Sequence, residues 1–349
     1  MASSAGPAQH SSLDRSSVTR VGITGTGSCL PDQRITTPEL QDRVNRASGF
    51  TLPAGVFQTI TGICSRRIAR DDEYASTLAI GAAHQALARA DLDPLDIGLL
   101  IFASATRDVA EPATAHIVAD SLGAIGHCFD VGNACNSFIN GIDVGRSMIL
   151  AGRARRVLVV TGETPTRSMR WQLDSLEQAR KSFAGFTFGD AGAAVVLEPV
   201  EQGGLLDIDT VTHSEHWAVG GIAGGGSRHP RGDEHTYFHG DGRALRDVFE
   251  KIGTGIFDSL WERTGWGWQD FAKVLVHQVT MPYLDRFVEV TGVPRDKLEV
   301  TLPELGNMAS ATLGVQLSRV ETSLRTGERL LFVGLGGGIS VMTLVWEKS

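Results

Sequence analysis

Short, continuous apolar runs alternate with longer helical stretches along this chain, and the pattern occurs twice. In the first part, Ser76 to Ala90 reads as a Leu/Ala-rich helix and Leu99 to Ala103 as an apolar strand. Ala113 to Leu122 reads as a helix, Arg156 to Thr161 as a buried strand ending at Gly162-Glu163, and Ala191 to Leu197 as a further apolar β-run. A Gly-rich, His-containing stretch from Gly220 to Gly242 interrupts the pattern. It resumes with a helix from Ala244 to Arg263, a strand Val274 to Val276, helices Tyr283 to Val290 and Ala309 to Leu324, and strands Leu330 to Val333 and Ser340 to Trp346. Repeated βα alternation predicts the α/β class. The divide falls near Gly203, giving a first half over 21–203 and a second over 204–349. Residues 1–20 are Ser-rich and polar and read as a disordered tail.

The tail has no apolar h-region, which argues against a secretory signal, and no apolar run in the chain reaches membrane-spanning length. Cys29, Cys64, Cys128 and Cys135 show neither CxxC spacing nor a small-domain disulfide framework, so free thiols in a reducing cytoplasm are expected. A formal net charge of -8 disfavours nucleic acid and membrane surfaces as partners.

Cys135 ends a run of small and turn-forming residues, Val131-Gly132-Asn133-Ala134, and precedes an amphipathic stretch that continues to Leu150. A thiol there stands at a helix N-terminus, where the dipole and free N–H groups favour the thiolate. Two later segments offer partners. Val274-Leu275-Val276-His277 is an apolar strand ending in histidine, and Leu305-Gly306-Asn307 is a turn that carries an asparagine into a small-residue helix. Such groups make a nucleophilic constellation if the fold brings them together. The order Cys, His, Asn also occurs in papain-like proteases, whose local signature around the cysteine is absent.

The chain resembles the thiolase superfamily on its β-ketoacyl synthase III branch. The resemblance runs from Val21 to Glu347 and includes Gly22 to Pro31, Thr61-Gly62-Ile63 followed by Arg66-Arg67, and Gly334-Leu335-Gly336-Gly337-Gly338. It implies a thiolase fold, two similar βα halves in a five-layered α-β-α-β-α arrangement. Within the branch, Thr106-Arg107-Asp108 with Glu111-Pro112-Ala113-Thr114 and Asn133-Ala134-Cys135 resemble the OleA subfamily, which joins two long-chain acyl-CoA molecules head to head.

That resemblance implies a homodimer in which Glu111 reaches the partner subunit's site as the base. It further implies Cys135 as acyl acceptor, the backbone N–H groups of Cys135 and Gly337 as oxyanion donors, and His277 and Asn307 as donors to an enolate oxygen. Acyl-CoA is the expected substrate, with acyl carrier protein as the other carrier, and no cofactor is expected. Both carriers are anionic, so docking calls for basic patches, of which Arg66, Arg67 with Arg70, and Arg243, Arg246 with Lys251, are the candidates. Ile60 stands where synthase III enzymes commonly carry Arg before Thr-Gly-Ile, so nucleotide contacts do not transfer residue by residue. Two other readings stay open: decarboxylative condensation or acyl transfer in secondary metabolism, and a non-catalytic dimer partner.

Three tempting motifs are set aside. Pro31 interrupts the helix that a dinucleotide fingerprint at Gly22, Gly25 and Gly27 would need. His229, His235 and His239 fit no metal-ligand spacing, so no metal site is expected. Arg231-Gly232-Asp233 matches an adhesion tripeptide by chance.

Overall fold

The computed structural model describes residues 20–349; of the expected disordered tail only Arg20 falls within them, and its carbonyl accepts from the Val200 N–H. The chain opens with β1 (Val21–Cys29), β2 (Arg34–Thr36), α1 (Thr37–Ala47), α2 (Val56–Thr61), β3 (Ser65–Arg67) and α3 (Ala75–Ala90). It continues through β4 (Leu99–Ala103), α4 (Thr114–Leu122), β5 (His127–Val131), α5 (Ser137–Leu150), β6 (Val157–Glu163), α6 (Leu176–Ser182) and β7 (Ala191–Pro199). The remainder is β8 (Gly204–Thr212), β9 (Gly220–Gly221), β10 (His239–Gly240), α7 (Gly242–Ile252), α8 (Gly255–Thr264), β11 (Lys273–Val276), α9 (Met281–Thr291), α10 (Leu302–Leu305), α11 (Ala311–Val320), β12 (Arg329–Gly336) and β13 (Ser340–Glu347).

Two sheets carry the structure. The first runs β1-β7-β6-β4-β5, with β6, β4 and β5 parallel; the second runs β11-β12-β13-β8, with β11 and β12 parallel. Because side chains alternate along a strand, a strand apolar at every position must be covered on both faces. β4 meets that condition. Leu99, Ile101 and Ala103 join the core between the sheets, while Leu100 and Phe102 pack under α3 and α4. In β12, Leu330 and Phe332 face the same central core, and Leu331 and Val333 face α8 and α9. The central core holds α5 and α11, so the order of layers is α3/α4, sheet, α5/α11, sheet, α8/α9. This is the five-layered thiolase arrangement.

The glycines of β1 have a packing role. A Cβ on Gly27 would stand 2.0 Å from the Ala82 carbonyl oxygen, and one on Gly162 of β6 would stand 1.8 Å from that of Ala75. The Ala-rich face of α3 therefore lies directly on the sheet backbone.

Several elements differ from expectation. The helix read over Ala244 to Arg263 is two helices, because Gly253 adopts φ +68° and breaks the run. The helix read from Ala309 begins at Ala311, since Ala309 itself sits at φ +47°. Strands β5 and β8 lack the continuous apolar run that marks a strand in the sequence: each mixes polar and apolar residues, as an edge strand does, and Asp207 and Asp209 of β8 pair with Arg263 at 2.9 and 2.8 Å. Among the described residues, no helix is long and apolar enough to cross a membrane.

Candidate active site

Ligand-binding groups in open α/β sheets gather at the carboxyl ends of parallel strands. Here β4, β5 and β6 end at Ala103, Val131 and Glu163, and β11 and β12 end at Val276 and Gly336. Cys135, His277 and Gly337 each follow one of these ends. All three, with Asn307, line one cavity of about 660 Å³. Phe188, Phe238, Phe249 and Leu245 supply apolar wall, and the 219–222 segment supplies another side.

Each group is held by its neighbours. Ala134 takes φ +47°, an uncommon conformation for a residue with a Cβ, as the chain turns from β5 into α5. Asn136 is buried and donates through Nδ2 to the carbonyl and hydroxyl oxygens of Ser340, at 3.0 and 2.8 Å. That clamp ties the nucleophile segment to the β12–β13 turn, which supplies Gly337. The Gln278 side chain accepts from the Thr301 and Leu302 N–H groups and donates to the Glu299 carbonyl at 2.6 Å, joining the end of β11 to α10. Gln316 of α11 donates to the Val276 carbonyl at 3.1 Å. Asn307 Oδ1 accepts the Ala309 N–H at 3.0 Å, leaving its Nδ2 as the donor.

Burial sets the charges. His277 is 3% exposed, and desolvation lowers it to about 4, so its imidazole is neutral at pH 7. The Cys135 thiol is pushed up to about 12, first by desolvation and then by the Glu163 carboxylate. The N–H groups of Gly337 and of Cys135 itself favour the thiolate but do not outweigh burial. The expectation of a favoured thiolate is thus corrected: desolvation outweighs the N–H groups at the helix start.

Other expected residues lie elsewhere. Arg66 is fully buried and donates to the Phe186 carbonyl and to Thr37 Oγ1, so it is a packing residue and not a CoA contact. Arg67 donates to the Pro31 and Asp32 carbonyls, which holds the β1–β2 turn against β3. Arg246 is exposed, pairs with Asp247, and borders a smaller pocket between α7 and α9, outside the main cavity. The Arg243 side chain lies outside the described residues. Glu111 is exposed on the β4–α4 loop and forms no part of its own chain's cavity wall.

Glu163, Gln278, Gln316 and Arg107 belong to the site or its supports without standing out as site residues in the sequence. Glu163 is fully buried and lines the cavity, as does Arg107. Its signal was available: a carboxylate closing an apolar strand at the end where such sheets bind ligands.

A family model described as 3-oxoacyl-(acyl-carrier-protein) synthase III matches residues 129–214, and its C-terminal counterpart matches residues 261–348. A β-ketoacyl-(acyl-carrier-protein) synthase III of Desulfitobacterium hafniense is 31% identical over 340 residues, covering 94% of this chain and 98% of the relative. A Streptomyces coelicolor protein of the same description is 32% identical over 342 residues, covering 93% and 96%. Among solved structures, a cysteine-to-serine variant of Xanthomonas campestris OleA with bound lauric acid and lauroyl-CoA superimposes with a TM-score of 0.84. It is 28% identical, and the match covers 95% of this chain and 99% of that one. A glutamate-to-alanine variant of the same OleA gives a TM-score of 0.85 at 27% identity, covering 95% and 98%.

Proposed function

The chain belongs to the 3-oxoacyl-(acyl-carrier-protein) synthase III family and is a condensing enzyme, an acyltransferase. On that premise we propose that it joins two acyl-CoA molecules by Claisen condensation through an acyl-Cys135 intermediate, in the cytoplasm and as a homodimer. One observation carries the reading: Cys135, His277 and Asn307 line a single cavity, with the Gly337 and Cys135 N–H groups directed at the thiol.

In the first half reaction Cys135 Sγ attacks the thioester carbonyl, the developing oxyanion takes hydrogen bonds from those two N–H groups, and CoA leaves carrying the thiol proton. In the second, a base removes a proton from the α-carbon of another acyl-CoA. Neutral His277 and Asn307 Nδ2 donate to the enolate oxygen. His277 Nδ1 is buried without a partner among the described residues. Since a buried unpaired N–H is rarer than an unpaired acceptor, the proton belongs on Nε2. The α-carbon then bonds to the acyl carbon, the carbon–sulfur bond breaks, and the departing thiolate takes up a proton in place of the one the base removed, which restores the thiol.

A plain acyl thioester has no carboxylate to lose, so this enolate requires a base, and Glu111 of the Glu-Pro-Ala-Thr element takes that role from across the dimer. The likeness to OleA supports the choice. A second reading, decarboxylative condensation with a malonyl extender, is favoured by the names of the sequence relatives. Incubating the purified protein with one acyl-CoA and no malonyl donor separates them. A β-keto product by mass spectrometry is the expected result, and product only after a malonyl thioester is added overturns it.

A further inference from the structure

Glu163 is a buried carboxylate in the reaction cavity with no role in the steps above, and its hydrogen bonds reach two separate parts of the site. Its Oε1 accepts from the Ala105 N–H at 2.7 Å and from the Ser310 hydroxyl; its Oε2 accepts from the Thr106 N–H at 3.1 Å and the Thr106 hydroxyl at 2.8 Å. Ala105 and Thr106 begin the loop that carries Arg107 and Glu111. Ser310 follows the Asn307 turn, and its hydroxyl also meets Thr161 Oγ1 at 2.7 Å.

We propose that Glu163 is a positioning residue that fixes the Glu111 loop and the Asn307 turn against the Cys135 thiol, so that acylation and condensation share one geometry. The assignment rests on the condensation reading above. Of the charged groups lining the cavity, which include Arg107, Asp130 and Asp241, Glu163 is the one whose charge raises the thiol.

An amide cannot replace this carboxylate. Whichever way it is turned, the NH₂ faces one backbone N–H, that of Ala105 or that of Thr106, while the Ser310 and Thr106 hydroxyls can rotate to accept. Glu163→Gln therefore loosens the loop and removes the charge, whereas Glu163→Asp keeps the charge and withdraws it from its donors.

The test compares both variants with the wild type by three readouts, each per folded molecule: iodoacetamide alkylation of Cys135 against pH, located by peptide mass spectrometry; single-turnover acylation; and condensation. In Glu163→Gln, alkylation at pH 8 rises roughly threefold or more as the neighbouring charge is lost. Acylation persists, and condensation falls roughly tenfold or more through misplacement of the second-step groups. In Glu163→Asp, the alkylation profile stays at its wild-type pH and condensation still falls. Wild-type condensation in both variants, or equal losses of acylation and condensation, overturns the proposal. Alkylation needs no acyl-CoA, so a wild type that condenses nothing from acyl-CoA alone defeats the substrate reading while a Glu163-dependent alkylation profile survives it.

Discussion

Cys135 meets opposing influences at the head of α5. Two N–H groups favour its charge, while burial and Glu163 oppose it, and the balance leaves a thiol at about 12. Burial likewise pushes the Glu163 carboxyl up to about 7, so near pH 7 the thiolate gains less than tenfold per pH unit while that charge develops. The rate of acyl-enzyme formation therefore climbs across pH 7 to 9 without levelling, most steeply above pH 8, as rapid-quench mass spectrometry would show. Cys135→Ala forms no adduct, while alanine at Cys29, Cys64 or Cys128 leaves adduct formation intact. His277→Ala and Asn307→Ala keep some acylation and lose condensation by on the order of a hundredfold, the usual cost of one oxyanion donor. His277 also ties stability to pH. Its value is about 4 when folded against an ordinary 6.5, so the unfolded chain binds more protons between those limits. Stability is fully present above 6.5 and lost as pH falls toward 4, by up to about 3 kcal/mol. In urea unfolding, His277→Asn should lose less stability than the wild type when the pH is taken from 7 to 4.5.

At the scale of elements, the legible parts were those where one force dominates. β4 and β12 are apolar at nearly every position, and burial on both faces follows from that alone. Cys135, His277 and Asn307 stood out because each follows an apolar run or turn at an element's end. Arg66 did not behave as its charge suggested, for the sequence cannot say that a guanidinium is folded inward between Thr37 and Phe186. Glu163 was missed for the same reason: four donors from two distant segments solvate it, and none adjoins it in sequence. Gly253 hid a helix break inside an amphipathic pattern that continues on both sides. Arg66→Ala, which leaves the Phe186 carbonyl unpaired and a void beneath α1, should lower unfolding stability by about 3 kcal/mol. Its KM for acyl-CoA, measured on folded protein, should not move.

At the scale of the molecule, β5 is the outer strand of its sheet. It is half-exposed, with one edge unpaired among the described residues. Exposed Ile125 lies just before it in the chain and exposed Val109 on the loop after β4, and the proposed dimer would bury such an edge. The strand leads straight into the Cys135 segment, and the Glu111 loop leaves from its neighbour β4, so an interface here brings both close to the partner. In the proposed dimer a base from one subunit generates the carbon nucleophile for an acyl-cysteine on the other. The decisive measurement is the activity of a mixed dimer of Cys135→Ala and Glu111→Gln, supplied with a single acyl-CoA and no malonyl donor. Each variant alone should form no condensed product, and the mixed dimer should recover activity at one of its two sites, about half the wild-type rate. Folded mixed dimers that stay inactive, or a Glu111→Gln homodimer that condenses acyl-CoA at the wild-type rate, would rule out a base supplied across the dimer.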